Sequence, residues 1–143
     1  MIIGYGLNIV NVERKSVTAG KIEVKYNLAM ENIEEEKMDS LAPGQIALRM
    51  EFKYAIEYSP KLGNISLQGS VLYLTKESQG KAMLSRWKKE KKLGDEKVAA
   101  SIFNHVLTRC NIKALSLAQE VGLPPHIPLP RAIPKDAAKT YIG

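Results

Sequence analysis

From Gln45 to Tyr58 the chain alternates strictly, with Ile46, Leu48, Met50, Phe52, Tyr54, Ile56 and Tyr58 on one side. Gln45, Ala47, Arg49, Glu51, Lys53, Ala55 and Glu57 fall on the other. A period of two sustained over fourteen residues predicts a strand buried on one face, and a strand of this length belongs in the middle of a sheet. Before it, residues 20–31 repeat the pattern with Ile22, Val24, Tyr26, Leu28 and Met30 inward and Lys21, Glu23, Lys25, Asn27 and Glu31 outward. Residues 2–12 start the same way at Ile3, Tyr5, Leu7 and Ile9 and then slip to Val10 and Val12, which predicts a bulge or bend near Ile9. A fourth strand is expected over residues 64–75, joined to the third by the turn residues Ser59 to Asn64, so these two run antiparallel. Gly69 marks either a bulge there or a close approach of the helix that follows.

The period then changes. Ala99, Ile102, Phe103, Val106, Cys110, Ala114, Leu117, Ala118 and Val121 recur every three or four residues, predicting one long helix over residues 96–121. Asp95 stands at its N-cap, Glu96 suits the positive end of its dipole, and Gly122 with Pro124 and Pro125 ends it. At 1.5 Å per residue the helix is about 40 Å long, enough to cross a small sheet. Two connections remain. Residues 31–44 are expected to be an acidic loop closed by Pro43 and Gly44, and residues 76–94 a short helix or a partly ordered loop with Ala82, Met83, Leu84 and Trp87 on one side. After Gly122, five prolines between Pro124 and Pro134 exclude helix and impose an extended path, expected to be docked as far as Arg131.

The fold class is therefore α+β: a four-stranded antiparallel sheet packed against one long C-terminal helix and followed by an extended, proline-rich tail. The expected division is a single domain over residues 1–131 and a basic tail over 132–143. Phe52, Tyr54, Ile56, Phe103, Val106 and Leu117 are expected in the core, and Lys, Glu, Gln and Ser on the open sheet face.

The 143 residues carry 21 Lys and Arg against 15 Asp and Glu, a formal charge of +6 that favours anionic partners. Cys110 is the one cysteine, which excludes an internal disulfide and a multi-cysteine zinc site and fits a reducing cytoplasm. No apolar run of about 18 residues occurs, and the start of the chain is too polar for a signal peptide, so no membrane role is expected.

No catalytic constellation stands out in the sequence. His105 and Cys110 lie five residues apart, an offset of about 140° around a helix, and do not share a face as a base and nucleophile would. His105 reads as a surface or boundary residue and Cys110 as a small buried apolar one. There is no G-x-S-x-G elbow, no Walker loop and no G-x-G-x-x-G. Glu34, Glu35 and Glu36 lie in a solvated stretch that would not raise a carboxyl pKa for acid catalysis. The expectation is a protein that is not an enzyme and needs no metal or cofactor.

The most basic stretch holds Arg86, Lys88, Lys89, Lys91 and Lys92 within seven residues, and Trp87 among them either stacks on a base or anchors the segment to the domain. Lys97 extends this charge along the helix, and Arg131 and Lys135 extend it along the tail. Lysine contacts of this kind grip phosphates without reading bases.

Ile102 and Phe103 in the long helix, then Leu123 and Pro124, Ile127 and Leu129, and Pro130, together with the order of elements, resemble the SecB-type protein export chaperones. The layout matches over the whole chain and the text over residues 102–131. The resemblance implies a holdase that binds unfolded or nascent polypeptide along apolar grooves beside the helix, as a homo-oligomer. Two features depart from the family: its members are acidic, and they end in a zinc-binding tail containing Cys and His, whereas this chain is basic and ends KDAAKTYIG.

Charge and resemblance thus point to different partners. Ranked on charge, the first reading is a SecB-like binding protein attached to the ribosome or to structured RNA through Arg86, Trp87, Lys88, Lys89, Lys91, Lys92, Lys97, Arg131 and Lys135. The second is the polypeptide-binding holdase.

Overall fold

The computed structural model describes residues 1–16, 20–130 and 132. Four strands, β1 (Ile2–Arg14), β2 (Glu23–Glu36), β3 (Gln45–Ser59) and β4 (Gly63–Lys76), are followed by two helices, α1 (Glu77–Glu90) and α2 (Glu96–Val121). The strands form one sheet in the order β1-β4-β3-β2, with every neighbouring pair antiparallel. The alternation in β3 does what its length implied: it is central, and Leu48, Met50, Phe52, Tyr54, Ile56 and Tyr58 are all buried.

Residues 31–36 were expected in a loop but are strand. The register of β2 against β3 slips between Met30 and Asn32, so Met30 faces Phe52 and, past the bulge, Ile33 faces Met50. One extra residue reverses the phase of the alternation. Ile33 is consequently buried although it is odd-numbered, and the acidic run Glu34–Glu36 continues along a sheet edge. In β1 the slip lies between Leu7 and Ile9, as the pattern predicted, with a second between Ile2 and Gly4.

Gly69 answers to a strand and not to the helix. It pairs with Leu7 beside the β1 slip, and a β-carbon there would collide with the Gly6 carbonyl oxygen.

The basic connection is a full helix, α1, of 14 residues, and Met83 and Trp87 on its inner side are buried. Two helices therefore cover the sheet face where one was expected. Beneath α1, Met83, Trp87 and Leu93 pack with Ile46, Leu48, Met50, Ile33 and Ile102. Beneath α2, Val106, Cys110, Ala114 and Leu117 pack with Phe52, Tyr54, Ile56, Ile65 and Leu67. Asp95 caps α2 by accepting a hydrogen bond from the Val98 amide (2.8 Å), and Gly122 ends it in the left-handed region at φ 76°.

Phe103 was expected in the core and is not there. Ile102 is fully buried, whereas Phe103 is half-buried and belongs to neither packed cluster. Adjacent helical positions lie about 100° apart, so only one of two neighbouring apolar residues can occupy the centre of the stripe.

The segment after α2 docks through its first residues, and Arg131, the expected end of the docked part, is outside the described residues. Leu123 and His126 are buried, Tyr58 donates to the Pro124 carbonyl (2.7 Å), and Leu129 is already half exposed. Arg131, Lys135 and the rest of the tail lie outside the described residues.

Candidate functional site

Where β2 bulges, the end of α1, the start of α2 and the edge of the sheet fail to close on one another. They leave an open cleft of about 520 Å3, within the range of roughly 300–1,000 Å3 common for binding sites. Its apolar lining is Met30, Trp87, Leu93, Ala99 and Phe103. Each has a local reason to be there. Met30 is the last residue before the β2 slip, Trp87 lies in the last turn of α1 and Leu93 in the connection to α2, and Ala99 and Phe103 lie on the flank of the α2 stripe.

The connection between the helices is held by its own contacts. Lys91 adopts the left-handed conformation (φ 55°) and its amide donates to the Trp87 carbonyl (2.9 Å), closing α1. Its ammonium lies 5.3 Å from the centre of the Trp87 ring, a cation–π contact. Arg86 donates to Glu90 Oε2 (3.1 Å) and to the Gly94 carbonyl (2.7 Å), which ties the end of α1 to the turn before α2. The cleft is thus preformed, with charged groups on its rim: Arg86, Lys91 and Lys92 from α1 and the connection, Glu31 from β2, and Asp95 and Glu96 from the start of α2.

Of the sequence-predicted site residues, four converge on this cleft: Arg86, Trp87, Lys91 and Lys92. Lys88 and Lys89 are exposed at the end of α1, and Lys97 is exposed in the first turn of α2. The structure bears on two of them, and of the two roles open to Trp87 it favours the anchor. Trp87 is only 7% exposed and packs in the core beneath α1, so its ring is not offered to a base. Arg86 is exposed, but its guanidinium already donates to Glu90 and to the Gly94 carbonyl.

A second arrangement, between α2 and the segment after it, went unrecognised in the sequence. Tyr54 Oη donates to Asn111 Oδ1 (2.6 Å), and His126 Nε2 lies 2.9 Å from the same oxygen. That oxygen carries no proton, so Nε2–H donates to it. The other ring nitrogen of His126, Nδ1, is buried without a partner among the described residues. Tyr26 from β2 and Tyr54 from β3 meet the ring edge-on, and burial pushes its pKa below the ordinary histidine value. The histidine pins the returning chain to the sheet. No spacing in the sequence joins positions 54, 111 and 126.

Cys110 is fully buried, with the Tyr5 hydroxyl 3.7 Å from its sulfur, and burial pushes the thiol pKa up, which suits a packed thiol and not a nucleophile. His105 is half-buried at the boundary, edge-on to Tyr5 at 6.0 Å. Among the described residues no group of three or more His, Cys, Asp or Glu side chains is placed to hold a metal ion, and no helix is long and apolar enough to cross a membrane.

No family model matches the chain, and no curated protein matches its sequence. Among solved structures it is similar to the Mycobacterium tuberculosis SecB-like chaperone Rv1957, in complex with a ChAD peptide from the HigA1 antitoxin. The identity is 9% and the TM-score 0.54, over 92% of this chain and 89% of that one. At that identity the likeness is one of fold: an α+β unit of the SecB-like type, as the order of elements implied.

Proposed function

We propose that this chain is a non-catalytic polypeptide-binding protein that holds unfolded or nascent segments in the manner of a holdase, in the cytoplasm. The observation that carries the reading is the open cleft at the β2 bulge, where the half-buried Met30, Ala99 and Phe103 present apolar surface beside a sheet edge, backed by the buried Trp87 and Leu93. An extended segment laid there buries apolar side chains without any chemistry being done on it, which is what such binding requires. The structural likeness supports the same reading, because that chaperone was captured with a peptide. This reverses the order reached from charge alone.

The test is an aggregation assay with a chemically unfolded client. Near-stoichiometric amounts of the protein should suppress light scattering, and Phe103→Ser should reduce that suppression while leaving the fold intact. A protein that leaves aggregation unchanged at every ratio would remove the reading.

The RNA or ribosome reading rests on the exposed lysines Lys88, Lys89, Lys91, Lys92 and Lys97. It predicts binding to structured RNA that weakens with salt at a log–log slope of about −0.7 to −0.9 per phosphate contacted. A Lys88→Ala, Lys89→Ala, Lys91→Ala variant that co-sediments with ribosomes like its parent at every salt concentration would end it.

A further inference from the structure

The cleft is one end of a longer channel between α2 and β2. Phe103, Leu107 and Asn111 follow one another at intervals of four along one side of α2, and Met30, Leu28 and Tyr26 at intervals of two along the helix-facing side of β2. The two rows match in length, about 12 Å for eight helical residues at 1.5 Å each and about 13 Å for four strand residues at 3.3 Å each. They meet at both ends: Met30 and Phe103 line the cleft together, and His126 touches both Tyr26 and Asn111. Between those ends Leu28 and Leu107 are half-buried. What closes the far end is an extended apolar stretch of the chain itself, residues 123–130, with Leu123 in the core and the Pro124 carbonyl accepting from Tyr58.

His126 is the one ionisable residue in that stretch, and its surroundings suit only the neutral ring. Nε2–H is spent on Asn111 Oδ1, and Nδ1 is buried without a partner among the described residues. The ionisable groups packed against this corner are Tyr26 from β2 and Tyr54 and Tyr58 from β3, while α2 presents the neutral Asn111. Burial raises the pKa of Tyr54 and of Tyr58, so neither supplies a negative charge. Lys25 and Lys53 lie on the opposite face of the sheet, and the ion pairs among the described residues, Arg49–Glu36, Lys81–Glu77 and Arg86–Glu90, do not include His126. A proton on Nδ1 therefore buries both a charge and an unmatched donor, and water relieves both once the stretch undocks.

Resting on the polypeptide-binding reading, we propose that residues 123–130 are a strap released when His126 takes up a proton, and that its release lengthens the cleft into a channel for a longer apolar segment. The strap itself shows what the far end accepts, an extended backbone carrying Leu123 and Ile127. Its departure adds room for about four extended residues. Docking favours the neutral ring, so the strap is held above about pH 6.5 and let go as the pH falls from there toward the lower folded value. Each pH unit below about 6.5 shifts the docking equilibrium by at most about tenfold.

The experiment measures fluorescence anisotropy of two labelled, end-blocked peptides of alternating Leu and Ser, about five and about eleven residues long, with the full chain at about pH 7.5 and about pH 5.5. Neither peptide titrates. The long one should bind up to about tenfold tighter at the lower pH, and the short one equally at both. His126→Gln, whose amide still donates to Asn111 but takes no proton, should lose the response to pH. Asn111→Asp should lose it too, because its carboxylate gives the charged ring a partner in the docked state. Circular dichroism checks the fold of each variant. A long peptide that gains nothing at the lower pH, or gains as much with His126→Gln, would overturn the strap and leave polypeptide binding standing. If neither peptide binds, the polypeptide reading fails, and the strap is decided by the fluorescence of an apolar dye, anilinonaphthalene sulfonate, with the chain alone. That signal should rise at the lower pH for the parent and not for His126→Gln, and equal curves would overturn the strap as well.

Discussion

Ile102 and Phe103 are neighbours in one helix, and the structure gives them opposite roles, which a pair of truncations tests. Ile102 is fully buried between α1, α2 and the sheet; truncation to alanine removes about three methyl or methylene groups at about 0.8 kcal/mol each. The cavity left behind adds to that, for a total of about 3–4 kcal/mol. Phe103 packs in neither cluster and lines the cleft, so Phe103→Ala should cost only about 1 kcal/mol. With a urea m-value of about 1–3 kcal/mol per molar, Ile102→Ala should lower the unfolding midpoint by roughly 1–4 M. The melting temperature should fall by about 6–14 °C, while Phe103→Ala moves either midpoint by a few tenths of that. In anisotropy binding the order inverts. Phe103→Ala should weaken an apolar peptide about tenfold, as loss of one anchor does, whereas Ile102→Ala, measured where it is still folded, should bind close to the parent. Equal stability losses, or a larger loss for Phe103, would refute this assignment of the helix face. Unchanged peptide affinity in Phe103→Ala would refute the site.

Trp87→Ala should destabilise the chain by about 3–5 kcal/mol in urea unfolding, because its ring fills the core beneath α1; a stable variant that had lost only RNA affinity would return the residue to a stacking role. Gly69→Ala should cost about 1–3 kcal/mol or more, since its methyl group meets the β1 backbone and not a side chain that can move aside, and a near-neutral result would contradict the register at the β1 slip. Because burial holds the His126 pKa below its ordinary value of about 6.5, the folded chain binds fewer protons than the unfolded chain there. Stability should thus be full above about pH 6.5 and fall as the pH drops from there toward the lower folded value. The parent's urea midpoint should decline more steeply than that of His126→Gln over that interval, and parallel curves would show that His126 does not carry the effect.

What the sequence determined by itself is what short-range geometry settles. The period of two in β3 and β4 and the period near 3.6 in α2 each state which face is buried, and Asp95 and Gly122 bracket the long helix through contacts within a turn of its ends. The fold class follows from those elements in order. The tertiary structure decided whatever depended on a neighbour distant in the chain. One inserted residue in β2 reversed the phase of its alternation, and the acidic stretch that reads as a loop is strand because it goes on pairing with β3. The basic connection became α1 because Met83 and Trp87 had the end of the sheet to cover, a partner that their own composition does not reveal. Phe103 was left for the cleft because Ile102 took the position facing the core. Arg86 reads as a phosphate contact until Glu90 and the Gly94 carbonyl are seen to hold it, while Lys91 and Lys92 remain available because no carboxylate folds back to them among the described residues. Residue types bound what a surface can attract; which charges are left over after the protein has satisfied itself is settled only when the chain packs.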